Sequence, residues 1–132
     1  RSFNMISIDG DQSTNDTMLV FANGASESTT ITKDSADSAN FQEALNYVCI
    51  ELAKKMVRDG EGAQRLIEVT VDTASSLKDA QLAARSVSGS MLVKAMVHGN
   101  DPNWGRVMMA VGNSEATIVE SKLDIFINFS AC

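Results

Sequence analysis

The sequence predicts a mixed α/β fold, with α+β character, in which one mixed β-sheet packs against helices on at least one face. Two observations support this class. Several short runs have the alternating or continuously apolar pattern of β-strands, and longer segments repeat apolar residues at helical spacing. The two kinds of segment mix along the chain without strict alternation.

Six short segments have the pattern of a strand. Residues 3–8 alternate, and residues 17–22 (TMLVFA) are continuously apolar, as in a strand buried on both faces. Residues 66–72 alternate again, with every second side chain apolar. The remaining predicted strands are residues 91–97, 118–120 and 123–129.

Apolar spacing predicts the first helix from about Asn40 to Asp59, along a stripe of Phe41, Leu45, Val48, Leu52 and Met56. Asn40 and Glu43 have the spacing of a capping box, and Gly60 stands where a C-terminal cap belongs.

Two further helices are predicted from their capping residues. Ser76 begins one helix, which ends near Gly89. Asp101 is the predicted N-cap of the other, with Pro102 at its first helical position and Gly112 at its end.

Composition places the chain among ordinary globular domains and excludes some functions. Its 132 residues are 44% hydrophobic and 21% charged, and its net charge is -6, which disfavours nucleic acid as a partner. No apolar run is long enough to span a membrane. Cys49 and Cys132 have no metal-ligand spacing, and this cysteine usage predicts a reducing, cytoplasmic location.

The ends of the chain suggest that it is a piece of a larger protein. Arg1 directly precedes one predicted strand, and Cys132 directly follows another. Natural termini usually carry a few polar residues beyond the last regular element. We therefore expect residues 1–132 to form a single partial domain.

The acidic run DGDQSTND, residues 9–16, invites comparison with a calcium loop. An EF-hand loop needs Gly at its sixth position and an acid at its twelfth, where this chain has Thr14 and Val20. The metal interpretation therefore fails. A turn in which side chains accept backbone N–H groups explains the composition better.

Two other polar runs are candidate binding segments. In VRDGEGAQR, Glu61 lies between two glycines, which leave its carboxylate uncovered for a cationic substrate group or simply for solvent. In HGNDPNWGR, a helix start with Arg106 suits an anion, while a plain capped helix anchored by Trp104 in the core is equally compatible. His98 is the only histidine, so no Ser-His-Asp triad can be assigned.

Three segments taken in order resemble one family of enzymes. They are SFNMISIDGDQSTNDTMLVFANG, LAKKMVRDGEGAQRLIEV and VHGNDPNWGRVMMAVG. Together they resemble the ornithine acetyltransferase (glutamate N-acetyltransferase) family, the bifunctional enzymes of arginine biosynthesis. The resemblance covers nearly the whole chain.

This resemblance implies acetyl transfer from N-acetylornithine to glutamate, with acetyl-CoA as a donor in some members. The family precursor cleaves itself before a threonine, and the new N-terminal Thr of the β chain forms an acyl-enzyme. The α chain supplies the oxyanion hole. The implied enzyme is an assembly of α and β chains in the cytoplasm, without a metal or bound cofactor.

The family's site residues carry over to a single position. Glu61 matches the glutamate that lines the substrate pocket in the family's DGEG-like turn, and it would hold an ammonium group of the ornithine substrate. The nucleophilic Thr is expected upstream of this chain. Thr17 precedes Met-Leu as that nucleophile does, but it belongs to the family's separate STND motif.

Two alternatives remain beside this interpretation. One is a related N-terminal-nucleophile aminopeptidase, in which water replaces glutamate as the acceptor. The other is a non-catalytic ligand-binding domain that uses Glu61 and the helix start at Asp101. The DGEG and DPNWGR runs favour the acetyltransferase over the aminopeptidase.

Overall fold

The computed structural model describes residues 2–129 and is built from helices joined by irregular segments. The four α-helices are α1 (Ala36–Arg58), α2 (Leu77–Gly89), α3 (Met91–His98) and α4 (Trp104–Gly112), and single 3-10 turns lie at Phe3–Met5 and Glu120–Lys122. Cys132, at the end of the last predicted strand, lies outside the described residues. Within residues 2–129, no helix is long and apolar enough to cross a membrane.

The predicted mixed sheet is wrong, because residues 2–129 contain no β-strand. A strand exists only where a neighbouring strand takes up its backbone N–H and C=O groups. Residues 67–72 and 123–128 do alternate between half-buried and exposed side chains, but no backbone ladder joins them to another segment of the described chain. Their alternation therefore reflects one-sided packing of irregular chain, not strand pairing.

The segment at residues 91–97 was predicted as a strand and is helix α3. The hydroxyl of Ser90 accepts the N–H of Val93 at 3.3 Å, which caps the new helix immediately after α2. Met, Leu, Lys and Ala, which make up most of this run, are all good helix formers. An apolar run of this length is compatible with a buried strand or with a helix, and the Ser90 cap favours the helix.

Helix α1 exists as predicted but begins before Asn40. The hydroxyl of Ser35 accepts the N–H of Ser38 at 3.1 Å, and Asp37 places a negative charge in the first turn. Ser35 is therefore the N-cap, and the predicted capping box at Asn40 is wrong. At the other end the helix stops at Arg58, close to the prediction.

The core is formed by α2, α3 and α4. Its buried members are Val87, Val93, Met96, Ala110 and Val111, with partly buried Val69, Val97, Val107, Leu123 and Ile127 against them. Polar bonds also join the helices: the Ser86 hydroxyl donates to the Ala110 carbonyl, and the Arg106 guanidinium donates to the Leu92 carbonyl at 3.1 Å. Helix α1 lies beside the Phe3–Met5 turn and buries only Ala53 fully.

Helix α2 has the predicted bounds, and Asp79 secures its first turn. The Asp79 carboxylate accepts hydrogen bonds from the hydroxyls of Ser76 and Ser75 and from the N–H of Thr117, the last at 3.0 Å. These bonds, led by that of Ser76, lower the pKa of Asp79 from 3.8 to about 2. The Ser76 hydroxyl caps α2 by accepting the Asp79 N–H at 3.0 Å, and the Asp79 carboxylate ties this cap to the segment after α4.

Asp79 should make stability depend on pH in acid. Because the folded-state pKa is lowered, its stabilisation is fully present above about pH 4 and is lost as the pH falls through about 2. We expect Asp79→Asn to lower the free energy of urea unfolding at neutral pH and to change it least near pH 2. Asp124→Asn is the control, since Asp124 is exposed and makes no side-chain hydrogen bond within residues 2–129. Equal losses from Asp79→Asn at both pH values would contradict this role.

Candidate functional site

Glu61 stands at the tip of a tight turn that follows α1. The Ala63 N–H donates to the Gly60 carbonyl at 2.9 Å, which closes the turn around Glu61 and Gly62. Gly62 has a φ of 70°, a left-handed conformation that glycine adopts without strain. The turn therefore needs glycine after the glutamate, and it presents Glu61 to solvent.

The carboxylate of Glu61 is free to accept a ligand. Glu61 is exposed, and within residues 2–129 its side chain makes no hydrogen bond and no ion pair. The only ion pair of the described chain joins Lys54 to Glu68 at 2.8 Å. An unpaired carboxylate on a glycine-flanked turn can take a cationic group without first breaking an internal bond.

The residues that follow Glu61 in the chain line a cleft of about 450 Å³. Gly62 and Arg65 form one part of its wall, Val57 of α1 adds an apolar surface, and Lys94 and His98 of α3 form another part. Glu61 itself is not among the lining residues. Gly62, the residue that follows Glu61, does line this cavity, whose volume is that of a small-molecule pocket.

Two basic side chains hold the N-terminal segment against the helices. The Arg85 guanidinium donates to the Asn4 carbonyl at 3.0 Å, and the Lys94 ammonium donates to the Ile8 carbonyl. Because Ile8 also lines the cleft, this tether builds one of its walls.

The acidic run at residues 9–16 forms a turn of the predicted kind. The Asp9 carboxylate accepts the N–H of Asp11 at 2.8 Å, and the Ser13 hydroxyl accepts the N–H groups of Asn15 and Asp16, both at 3.1 Å. This run lines a second cleft with a larger volume, about 690 Å³. Residues 2–129 contain no group of three or more His, Cys, Asp or Glu side chains arranged to hold a metal.

The start of α4 differs from both predictions made for it. Asn103, not Asp101, is the N-cap, and its side chain accepts the N–H of Arg106 at 3.3 Å. Pro102 therefore precedes the helix. Trp104 is 65% exposed, so its predicted place as a core anchor is wrong. The Arg106 guanidinium is bound to the Leu92 carbonyl of α3, so it connects two helices.

His98 lies in the last turn of α3, where a strand end was expected. It is exposed and lines the cleft beside the Glu61 turn. Within residues 2–129, no hydroxyl or thiol is hydrogen-bonded to its imidazole, so no activated nucleophile is formed around it in that part of the chain.

The sequence profile of the ArgJ family matches residues 1–132, the whole of this chain. The chain belongs to the ArgJ family. This result confirms the family that the three sequence segments indicated.

Two relatives show how similar the chain is to ArgJ proteins. The arginine biosynthesis bifunctional protein ArgJ of Dehalococcoides mccartyi is 49% identical over 129 residues, which are 98% of this chain and 32% of the relative. ArgJ 1 of Clostridium acetobutylicum is 53% identical over 124 residues, 94% of this chain and 30% of that protein. The chain therefore spans about a third of the length of these relatives.

A solved ArgJ structure shares the backbone arrangement. The crystal structure of the arginine biosynthesis bifunctional protein argJ from Bacillus halodurans matches with a TM-score of 0.85 and 45% identity, covering 90% of this chain and 56% of that one.

Sequence reasoning missed the basic residues of the cleft in this ArgJ chain. Arg65 was visible in the VRDGEGAQR run, but Lys94 was assigned to a strand. In the structure both Lys94 and His98 belong to α3, where their spacing of four residues puts them on one face of the helix.

Proposed function

We propose that this chain is part of an acetyltransferase that moves the acetyl group of N-acetylornithine to glutamate through an acyl-threonine intermediate. The match to the ArgJ family over all 132 residues carries the proposal. The similar proteins are named as arginine biosynthesis bifunctional proteins, which supports an amino-acid biosynthetic role over an aminopeptidase or a non-catalytic binding domain.

In this proposal the chain supplies one wall of the substrate pocket. Residues 1–132 are a single partial domain of the β chain, and the nucleophilic Thr and the oxyanion hole come from other parts of the enzyme. The α chain is the partner, and α and β chains form a cytoplasmic oligomer. The coverage of about 30% of the relatives' length is compatible with this division.

The reaction has two steps. The threonine hydroxyl attacks the acetyl carbon, its proton passes to the α-amine of the same residue, and ornithine leaves with its amine restored. The amine of glutamate then attacks the acetyl ester, which releases N-acetylglutamate and returns the threonine hydroxyl. Acetyl-CoA can replace N-acetylornithine in the first step in this scheme.

Glu61 holds the side-chain ammonium group of N-acetylornithine in the proposed complex. Three features support this assignment: the carboxylate is exposed, it is unpaired within residues 2–129, and the glycine that follows Glu61 in its turn lines a cleft. A carboxylate paired with an ammonium group gives a charge-assisted hydrogen bond, which is stronger than a neutral one.

We expect Glu61→Gln in the complete gene product to lower kcat/KM for N-acetylornithine about 10- to 100-fold. This range corresponds to the roughly 1.5–3 kcal/mol of a hydrogen bond to a charged group. The melting temperature should stay the same, because Glu61 makes no internal side-chain bond within the described chain. Initial rates of ornithine release, measured over a range of N-acetylornithine concentrations, provide the test.

Glu43→Gln is the matched control for this substitution. Glu43 is an exposed glutamate of α1, and it lines neither of the two clefts described above. The same chemical change there should leave kcat/KM intact. An unaltered kcat/KM in Glu61→Gln would refute the assignment of Glu61, while complete gene product that transfers no acetyl group at all would refute the proposed reaction.

A further inference from the structure

We infer that the cleft beside the Glu61 turn binds a small oxyanion, a carboxylate or a phosphate group, with Arg65 as its main ligand. The inference goes beyond the proposed reaction, since it does not depend on what Glu61 holds. It rests on the charge of the cleft wall, on the free guanidinium of Arg65 and on the way that α3 places its basic side chains.

The wall of the cleft has a charge opposite to that of the chain as a whole. The chain has 17 acidic and 11 basic residues and a net charge of -6. Yet the described residues that line this cleft include Arg65, Lys94 and His98 and no Asp or Glu. A concave surface lined by one sign of charge concentrates ions of the opposite sign, so this cleft attracts anions.

Arg65 is available to a ligand. It is exposed, and within residues 2–129 its guanidinium makes no hydrogen bond and no ion pair. A guanidinium presents N–H donors in a planar fork that matches two oxygens of a carboxylate or phosphate group. By contrast, Arg85 and Arg106 each donate to a backbone carbonyl, and neither lines this cleft.

Helix α3 adds a second cationic group in a fixed position. Lys94 and His98 are four residues apart and therefore lie on the same face of α3. One N–H of the Lys94 ammonium is bound to the Ile8 carbonyl, which holds the group at the cleft wall. An ammonium has three donors, so two remain for an anion.

The polar side chains of Gln64 and Ser7 also line the cleft and can donate hydrogen bonds to anionic oxygens. The volume of about 450 Å³ lies in the range of small-molecule pockets. A nucleic acid does not suit a single cleft of this size on a chain with a net charge of -6. The chemistry of the wall therefore selects a small anion.

Titration calorimetry of the complete gene product tests the inference, with inorganic phosphate and glutarate as separate probes at constant ionic strength. Glutarate has the two carboxylates of glutamate but no ammonium group, so its binding needs no contribution from Glu61. We expect at least one probe to bind and Arg65→Gln to weaken its affinity at least about tenfold, as expected for the loss of a charge-assisted bond.

Arg65→Lys and Lys122→Gln complete the design. Arg65→Lys keeps the charge and should recover part of the affinity, and Lys122→Gln, an exposed site that does not line the cleft, should change nothing. Binding of phosphate alone identifies a phosphate site, and binding of glutarate identifies a carboxylate site. If neither probe binds, or if Arg65→Gln binds both as tightly as wild type, the inference is wrong, whatever the enzyme's activity.

Discussion

Purified by itself, the 132-residue chain should transfer no measurable acetyl group from N-acetylornithine to glutamate. In the proposed mechanism the attacking threonine and the oxyanion hole belong to other parts of the enzyme. Loss of a nucleophile from a comparable covalent mechanism lowers kcat by about a millionfold. Within residues 2–129, the only histidine, His98, activates no hydroxyl or thiol that could substitute.

Formation of N-acetylglutamate, followed by mass spectrometry, is the measurement. The complete gene product under the same conditions is the positive control, and helical circular dichroism of the isolated chain verifies that it has folded. Turnover by the isolated chain within about tenfold of the complete enzyme would show that its own residues carry the nucleophile. The proposed division of the site would then be wrong.

Helices with strong capping residues could be predicted from the sequence. Ser76 begins α2, and α2 ends at Gly89, as expected. Helix α1 was predicted from its apolar spacing, but its N-cap is Ser35 and not Asn40. Both serine and asparagine are good N-caps, and sequence alone does not say which side chain reaches a free backbone N–H.

The sheet was predicted wrongly because alternating apolar and polar residues indicate which side chains are buried, not whether the segment pairs with another strand. Leu123 and Ile127 pack against the core while their neighbours face solvent, so the segment has the periodicity of a strand without a partner. Residues 17–22 were expected to be buried on both faces. In the structure Leu19 is 69% exposed and Phe21 86% exposed. Whether a run is paired depends on contacts far away in the sequence, which propensity does not contain.

The site was predicted only in part. The two glycines beside Glu61 indicated that its carboxylate would be uncovered, as it is in the structure, and the resemblance to the family suggested its proposed role. The cleft itself needs three distant pieces of the chain: the turn after α1, the Lys94 face of α3 and the N-terminal segment at Ile8. Tertiary structure brings these pieces together, and no local pattern indicates their proximity.

The second large effect concerns the centre of the three-helix core. Met96 of α3 is only 3% exposed and belongs to the cluster that includes Val93, Ala110 and Val111. Few side chains of the described residues are fully buried, so each contributes a large share of the packing. Close packing leaves no neighbour free to fill the space of a deleted side chain.

We therefore expect Met96→Ala to lower the free energy of unfolding of the 132-residue chain by about 2–5 kcal/mol. The total free energy of unfolding of a domain of this size is roughly 5–15 kcal/mol. The variant should therefore have a much lower melting temperature or fail to fold. Met91→Ala is the matched control: Met91 is in the same helix but 73% exposed, and the change should stay within about 0.5 kcal/mol. Urea unfolding followed by circular dichroism measures both. Equal losses at the two positions would mean that α3 does not pack as described, because only a buried methionine leaves a cavity when it is shortened.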